Sequence, residues 1–422
     1  MNKYLYILGF AGAALFSACS TSDDLSIGET PIVDESKESV LIFEAGQNSE
    51  VPISLGIGQS RGNTRTPLEP SGSIDSYGYG TFDTKDGKYF GVFCLATGYQ
   101  SSYEEYSPIE NTWTKDDKTG LLVRMNNVPA TVSGGNVTFK NSDASATQTY
   151  YYPMGNWMKY NFYAYYPWQN ETEDGNTTLS FSDNMVWEKF YNFDGSQDII
   201  WGRAYPENAD PVDPTVAIDA EPYSANYFRF KGNTSEYYPQ MKFEHKLVQF
   251  RFFVRAANSI ASAKNIRVRA MTIKGINHLA LVIADKKTGN SGKLYWFGSS
   301  IKKEQMAIRK MGSDIKRFDQ KSPFEGEAEA YLDSPLHITD DAIDVTTAEP
   351  VGYIMLAPPN VPSFTDRNSE TPTQNNTVYE LVVKVKYEDG TTKNENIIFT
   401  LNPPEGGFKE GKVYNIVISI NV

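Results

Sequence analysis

The sequence predicts an all-β protein. Short runs of β-branched and aromatic residues recur along the chain, and many alternate with polar residues, as in Val51–Ile57 and Asn161–Tyr166. This period of two is typical of strands that bury one face. Glycine, proline and asparagine separate the runs, and helical periodicity is rare. Many short strands with frequent turns favour β-sandwiches.

Composition excludes several classes of function. The chain has 422 residues, with 52 acidic and 39 basic side chains, so its net charge is −13. An acidic chain does not attract phosphate, and we therefore expect no nucleic-acid partner. Three histidines and two cysteines favour neither a metal site nor a disulfide framework. No catalytic motif is present, so we expect no enzyme and no cofactor, although a glycosidase carboxylate pair needs no local motif.

The first residues are a targeting sequence. Lys3 precedes an apolar run from Leu5 to Ala18, which is too short to span a membrane and fits a secretory signal peptide over residues 1–18. The run ends at Cys19, and this end resembles a bacterial lipobox, in which that cysteine is lipidated. The alternative is an ordinary signal peptide with a chance cysteine. The first interpretation predicts a lipoprotein exposed on the outer membrane of the cell.

A leader region follows over residues 19–65. It contains a polar tether and the alternating strand Val51–Ile57, and the loop after that strand carries Arg61 and Arg65. Exposed polar loops are where proteases cut, so both arginines are candidate processing sites. Cys94 lies in a later apolar run, which predicts a buried and unreactive thiol.

Two domains are predicted beyond the leader. A stretch rich in proline and aspartate, residues 207–222, interrupts the strands and reads as a linker. We therefore expect one β-sandwich domain over residues 66–222 and a second over residues 223–422.

Aromatic residues are concentrated between residues 150 and 168. Alternate residues of a strand here must face a core, which is one interpretation of the cluster. The other is an adhesive surface, because tyrosine and tryptophan stack on sugars or on partner proteins. The candidate adhesive residues are Tyr151, Trp157, Tyr165 and Trp168.

The order of several short motifs resembles the fimbrillin family, which comprises the subunits of Bacteroides-type (type V) pili. The motifs are Cys19, Thr64–Thr66, Gly91–Phe93, Asn161–Pro167, Asp198–Gly202, Phe243–Leu247 and Gly411–Tyr414. The resemblance implies two tandem transthyretin-like Greek-key β-sandwich domains. It also implies a structural subunit of a cell-surface fimbria that functions in adhesion. A surface-exposed glycan-binding lipoprotein is the alternative function.

The resemblance further implies assembly by donor-strand exchange. A protease cuts after Arg65, or after Arg61, and the leader strand with Ile53, Leu55 and Ile57 leaves a groove that a strand of the next subunit fills. The partners are then other pilus subunits, the outer membrane and a surface ligand. The candidate donor side chains are Val413, Ile416, Ile418, Ile420 and Val422.

The last strand has a second interpretation. It is equally consistent with the closing strand of the second sandwich. Stalk subunits of the family carry further sequence after that strand, so this alternative implies a tip or accessory subunit that accepts a strand without donating one. An anchor subunit would keep its lipid and skip cleavage.

Overall fold

The structure is a computed structural model. It describes residues 52–57, 89–99, 122–133, 136–152, 158–170, 177–182, 185–205, 223, 225, 228, 238–285, 289–308, 336–345, 347, 348, 350–369, 378–387 and 393–421.

Strands make up about half of the described residues and helix very little, which confirms the all-β prediction. The transthyretin-like Greek-key connectivity stays a prediction. A short helix, α1, spans Ser259–Ala263. The strands are β1 (Gly56–Ile57), β2 (Phe90–Tyr99), β3 (Val123–Ser133), β4 (Asn136–Phe139), β5 (Met158–Tyr166), β6 (Thr177–Ser182), β7 (Met185–Phe190), β8 (Ile200–Tyr205), β9 (Gln240–His245), β10 (Val248–Ala256), β11 (Ile266–Ile276), β12 (Leu279–Asp285), β13 (Leu294–Trp296), β14 (Lys303–Ala307), β15 (Leu336–His337), β16 (Gly352–Leu356), β17 (Tyr379–Tyr387), β18 (Lys393–Leu401) and β19 (Val413–Ile420).

Seven strands form a sheet that closes on itself, in the order β1-β4-β3-β2-β5-β8-β9. We call it the closed sheet. Its strands β8 and β9 pair antiparallel along their whole length. The short strand β1 completes the ring, because it pairs antiparallel with β4 and parallel with β9. A closed sheet has no unpaired edge, so β1 protects the edges of two strands at once.

The core of the closed sheet is rich in aromatic side chains. Phe162 and Tyr160 on β5, Phe90 on β2 and Phe243 on β9 all contribute to it. Cys94 is fully buried in the same cluster, and burial raises the pKa of its thiol well above the usual range. This confirms the predicted buried cysteine, because a protonated and inaccessible thiol is a poor nucleophile.

Three further sheets complete the described structure. They have the strand orders β16-β10-β19, β14-β11-β17-β18 and β13-β12-β7-β6, and β15 lies beside β11 in the second. The third sheet joins the two halves of the sequence, because β7 pairs with β12 from Met185 opposite Asp285 to Phe190 opposite Leu279. No described helix is long and apolar enough to cross a membrane.

The chain leaves the closed sheet later than the sequence predicts. Tyr223 and Phe228 lie in the core of the closed sheet, and β9 belongs to its ring. The next strand, β10, pairs instead with β16 and β19. By strand pairing, the chain therefore passes at Lys246 and Leu247 from the closed sheet, which we call the first part, to the sheets built from β10 onward, which we call the second part. The passage does not lie at the linker that ends at residue 222.

A tryptophan holds the two parts together. Trp201 on β8 is 5% exposed, and its indole Nε1 donates a hydrogen bond to the backbone oxygen of Ile283 on β12 at 2.8 Å. Gly292, in the turn between β12 and β13, has a φ of +77°, and a Cβ there would lie 2.7 Å from the Trp201 ring. Glycine therefore gives both the backbone conformation and the space that the ring needs.

A buried acid–base pair lies at the same junction. The carboxylate of Asp198 contacts Nδ1 of His245, and both side chains are almost fully buried. The backbone N–H of Lys246 donates to the oxygen of Ile199 at 2.8 Å and fixes the two segments side by side. Burial raises the pKa of the Asp198 carboxyl, although the neighbouring His245 opposes the shift.

This raised pKa predicts how stability depends on pH. The acid form of Asp198 is favoured in the folded state, whereas the unfolded carboxyl titrates near pH ~3.9. The contribution of Asp198 to the free energy of unfolding is therefore fully present below that pH. It is lost as pH rises through the pKa of this carboxyl in the folded state. Relative to Asp198→Asn, the native chain should lose free energy of unfolding as pH rises above about 4. Urea unfolding of both proteins at several pH values measures this difference, and a difference independent of pH contradicts the prediction.

Candidate functional site

The segment Pro52–Ile57, which we call the leader segment, is built into the closed sheet. Pro52 forms an antiparallel bridge with Tyr151, and the backbone N–H of Ile53 donates to the oxygen of Tyr150 at 2.7 Å. Further along, Gly56 lies opposite Asn136 of β4. Main-chain hydrogen bonds thus hold the segment along its length.

The opposite side of the segment contacts β9, which lies far away in the sequence. Gly56 pairs in parallel with Gln240, and Ile57 pairs with Met241. Removal of the segment would leave β4 and β9 without this shared neighbour. The result would be a gap one strand wide, bordered by two edges that can each form a ladder.

The leader side chains alternate between core and surface. Ile53 and Leu55 are 3% and 2% exposed and belong to the core of the closed sheet. Pro52, which precedes them, and Ser54, which lies between them, are only half-buried. This is the alternation expected of a strand with one inward face. For Ile57 the structure describes the backbone pairing, and its side chain lies outside the described residues.

Aromatic side chains next to the leader segment form part of the same core. Tyr152 is 3% exposed and stacks on Phe228, with ring centroids 5.2 Å apart. Tyr150 meets Phe139 edge to face at 5.9 Å. The candidate adhesive residue Tyr151 lies between these two tyrosines and is half-buried. Aromatic rings therefore lie in the same core as Ile53 and Leu55. The backbone of Tyr150 and Tyr151 pairs with the leader segment.

Tyr165 is not part of an adhesive surface, and this prediction is wrong for that residue. Its side chain is fully buried, and its hydroxyl donates to Oδ1 of Asn127 at 2.8 Å. A residue without exposed area cannot stack on an external sugar. Trp168 is partly buried, and its Nε1 donates to the backbone oxygen of Asn127 at 3.1 Å. Trp157 lies outside the described residues.

Asn127 explains this arrangement. It has a φ of +50°, in the left-handed region that asparagine tolerates better than most residues. Its position in β3 coincides with a shift of register against β2. The resulting bulge turns its polar atoms toward Tyr165 and Trp168, which no local sequence pattern signals.

The last strand lies inside its own chain. β19 pairs in parallel with β10 over eight residue pairs, from Val413 opposite Gln249 to Ile420 opposite Ala256. Ile418 and Ile420 are 3% and 1% exposed, and Val413 and Ile416 pack against the same core at partial exposure. This is the geometry of the closing strand of the second part. Donation to another subunit stays a prediction, and it would require β19 to leave β10.

The remaining predicted positions lie outside the described residues. These are the lipidation site Cys19, the processing sites Arg61 and Arg65, and Val422 at the end of the last strand. Sequence reasoning did not identify β4 and β9 as the two neighbours of the leader segment. Among the described residues, no group of three or more histidine, cysteine, aspartate or glutamate side chains is placed to hold a metal ion.

Comparisons with known proteins find similarity at the level of solved structures. The chain is similar to a fimbrial protein from Bacteroides vulgatus, with 14% identity, 89% of this chain and 96% of that chain covered, and a TM-score of 0.43. It is also similar to a candidate cell adhesion protein from Bacteroides uniformis, with 12% identity, coverage of 88% and 94%, and a TM-score of 0.40. For the fimbrial anchor protein Mfa2 from Porphyromonas gingivalis, identity is 9%, coverage is 82% of each chain and the TM-score is 0.24. No family model and no curated protein sequence matches the chain.

Proposed function

We propose that this chain is the precursor of a structural subunit of a cell-surface fimbria, and that its leader segment is a removable strand. The observation that carries the proposal is the placement of Pro52–Ile57 within the closed sheet. The segment shares main-chain pairing with β4 and β9 and buries Ile53 and Leu55. The sequence that follows it contains two arginines, Arg61 and Arg65.

The mode of assembly follows from the gap between β4 and β9 that removal of the leader segment would open. Cleavage after Arg65, or after Arg61, would cut the covalent link between the leader segment and the rest of the chain. A strand from another subunit could then occupy the gap, because it can form the same ladders and insert alternate apolar side chains. Each subunit would accept a strand from the next, and such a head-to-tail contact propagates into a filament.

Before assembly, the leader segment would act as a protective strand. An apolar gap between two free strand edges is an aggregation hazard, particularly during export. We infer that the precursor travels to the outer membrane as a lipoprotein attached through Cys19. There it meets other pilus subunits, and the completed fimbria is the site of adhesion to a surface ligand.

The position of the subunit in the filament depends on β19. Its pairing with β10 supports the interpretation as a closing strand. A tip or accessory subunit would receive a strand in its closed sheet while its own last strand stays in place. A stalk subunit would instead use β19, or further sequence, as a donor.

Limited trypsin digestion tests the proposal. The chain is produced from residue 20, so that signal peptide and lipid are absent, and is digested briefly at low trypsin concentration. We expect one early cut, after Arg65 or Arg61, with the larger fragment still folded. Intact mass locates the cut. A subunit whose β19 stays paired with β10 has no strand to donate to a second copy, so the direct readout is acceptance of a strand. A synthetic peptide of residues 51–57 should bind the cut protein and not the uncut protein, and size-exclusion chromatography detects the complex.

A matched variant makes the result specific. Arg61→Gln combined with Arg65→Gln removes both candidate sites and leaves the leader segment unchanged. This variant should resist the early cut and bind no peptide under the same conditions. Cleavage after either arginine and release of the leader fragment, without binding of the peptide to the cut protein, would contradict strand exchange. Resistance of the native loop to trypsin would contradict the processing step and favour a glycan-binding surface lipoprotein.

A further inference from the structure

The sheet with the strand order β13-β12-β7-β6 has a second face that lies outside the largest hydrophobic cluster. Val186 and Phe190 on β7 belong to that large cluster, whereas Trp187 packs in a smaller cluster on the other face. Lys189 and Tyr191 follow Trp187 at alternate positions, so the three side chains share this second face. All three are half-buried and therefore reachable from solvent.

A segment between β16 and β17 covers part of this second face. Phe364 is 9% exposed, and its ring centroid lies 5.5 Å from that of Trp187 and 5.8 Å from that of Tyr295. The backbone N–H of Phe364 donates to the oxygen of Trp296 at 2.8 Å. These contacts fix the segment that carries Arg367.

Two cations lie over these rings. The guanidinium carbon of Arg367 is 4.6 Å from the centre of the Phe364 ring and 5.9 Å from that of Trp187. Nζ of Lys189 is 6.0 Å from the centre of the same Phe364 ring and 5.4 Å from that of Phe297. The half-buried side chains of this region, which we call the β7 surface, are Trp187, Lys189, Tyr191 and Arg367.

The two cations keep their charge. Arg367 donates from Nη1 to the backbone oxygen of Phe364 at 3.1 Å. Ring contacts attract a cation without cancelling its charge. Within the described structure, neither Lys189 nor Arg367 forms an ion pair with a carboxylate. Glu188, the residue between Trp187 and Lys189, is fully buried and faces the opposite side of the sheet.

Other carboxyl groups act near one end of the β7 surface. Burial, with a contribution from Asp285, raises the pKa of Tyr295 to about 12, and Arg367 opposes the shift. Asp366, which precedes Arg367, is half-buried. These carboxyl groups weaken the positive potential around Arg367, so Lys189 is the cation whose charge is best placed to attract an anion.

The other end of the β7 surface is aromatic. The ring of Tyr191 meets those of Phe297 and His278 edge to face, with centroids 4.8 Å and 5.6 Å apart. Burial and Lys302 lower the pKa of the His278 imidazole, and the exposed Glu304 opposes this shift. At neutral pH the imidazole is therefore uncharged and contributes a ring.

Donors on the β7 surface exceed their acceptors. Nε1 of Trp187 and Nε of Arg367 are buried and have no hydrogen-bond partner within the described structure. Buried N–H groups normally find an acceptor. Each of these belongs to a side chain that is itself partly exposed, so a small rotation brings the N–H to a ligand. A ligand rich in carboxylate and hydroxyl oxygens supplies the acceptors.

The size of the β7 surface favours a small ligand over a protein. A standard protein interface takes about 800 Å² from each partner. Sites for small ligands combine aromatic rings with a few polar groups, as here. The large apolar side chains that are most exposed among the described residues lie on other elements, and they are Ile260, Val378, Ile398 and Val417.

We propose that the β7 surface binds a glycan through an acidic sugar residue, one that carries a carboxylate. Alternate residues of a strand are about 7 Å apart, so Lys189 lies centrally with an aromatic ring on each side. The carboxylate accepts charge-assisted hydrogen bonds from Lys189 and Arg367. The sugar rings of the acidic residue and its neighbour stack on Tyr191 and Trp187. The proposal names the ligand class of the adhesion proposed above and rests on that function for its setting, but it uses no residue of the leader segment.

Calorimetric titration of the uncut chain with defined glycans tests the proposal. Sialyllactose and trigalacturonate are the acidic probes, and lactose and the methyl ester of trigalacturonate are their neutral counterparts. At least one acidic probe should bind, about tenfold or more tightly than its counterpart, because a hydrogen bond to a charged group is lost without the carboxylate. The two acidic probes distinguish a sialic acid from a uronic acid.

Matched variants make the binding specific to the β7 surface. Lys189→Gln should lower the affinity by about tenfold, whereas Lys409→Gln, at an exposed lysine elsewhere, should leave it unchanged. Tyr191→Ala should lower the affinity severalfold, and Tyr191→Phe, which keeps the ring, should stay within about twofold of the native value. Circular dichroism and the unfolding midpoint verify that each variant is folded.

Three outcomes overturn the proposal. Absence of binding to both acidic probes would do so and would favour a protein partner for the β7 surface. Equal affinity for an acidic probe and its neutral counterpart would show that the carboxylate is not recognised. An equal loss of affinity in Lys189→Gln and Lys409→Gln would place binding elsewhere. Strand exchange is judged separately, by peptide binding to the cut protein.

Discussion

Replacement of Ile53 and Leu55 by alanine is expected to open the closed sheet without any proteolysis. Both side chains are buried, at 3% and 2% exposure, in the core that also contains Cys94. Loss of a buried isoleucine or leucine side chain costs about 2–5 kcal/mol. Two such losses are comparable with the whole stability of a typical domain, about 5–15 kcal/mol.

The thiol of Cys94 reports this opening. The chain contains two cysteines, and a chain produced from residue 20 retains only Cys94. In the native protein this thiol should react slowly with a thiol reagent, because it is fully buried and its pKa is raised. The double alanine variant should react much faster, and its free energy of unfolding should fall by several kcal/mol.

A substitution at Ser54, between Ile53 and Leu55, tests whether any change in the leader segment, rather than loss of its buried side chains, opens the closed sheet. Ser54 is half-buried and points away from the core, so Ser54→Ala should leave both the thiol reaction and the unfolding midpoint almost unchanged. If the double alanine variant reacts as slowly as the native chain, the leader segment does not stabilise the closed sheet. The proposed removable strand would then have no groove to leave.

Deletion of Asn415–Val422 is expected to unfold the second part of the molecule. The deletion removes most of β19, including six of its eight pairs with β10. It also removes Ile418 and Ile420, which are 3% and 1% exposed. Each buried side chain contributes about 2–5 kcal/mol, and β10 would lose one of its two neighbouring strands.

The measurement for this deletion is thermal unfolding combined with proteolysis. The truncated chain should show a lower midpoint and rapid digestion of residues 248–414. Asn415→Ala is the matched control, because its exposed side chain lies on the same strand. If the truncated chain keeps the native midpoint, β19 is dispensable to its own unit. That outcome would favour the donor interpretation over the closing strand.

These two predictions bear on different halves of the proposal. The alanine variants test whether the leader segment fills a groove. The deletion tests whether the last strand is free to leave. A subunit that needs β19 for its own stability, yet opens when the leader segment is weakened, would accept a strand without donating its own.

The sequence by itself determined the fold class and the inward positions of single strands. The period-two alternation of residues 51–57 identified Ile53 and Leu55 as inward side chains, and the structure buries both. The apolar run around Cys94 predicted a buried thiol in the same way. These inferences hold because the pleat of a strand relates neighbouring residues directly, whatever the strand pairs with.

Only the tertiary structure decided which strands meet. The pairing of Ile57 with Met241 and the joining of β7 to β12 link segments that are distant in the sequence. Tyr165 packs in the core, where Asn127 on another strand accepts the hydrogen bond of its hydroxyl. Alternation along the sequence predicts which face of its strand a side chain occupies. The neighbouring strand and the register of the pairing depend on the packing of the whole chain.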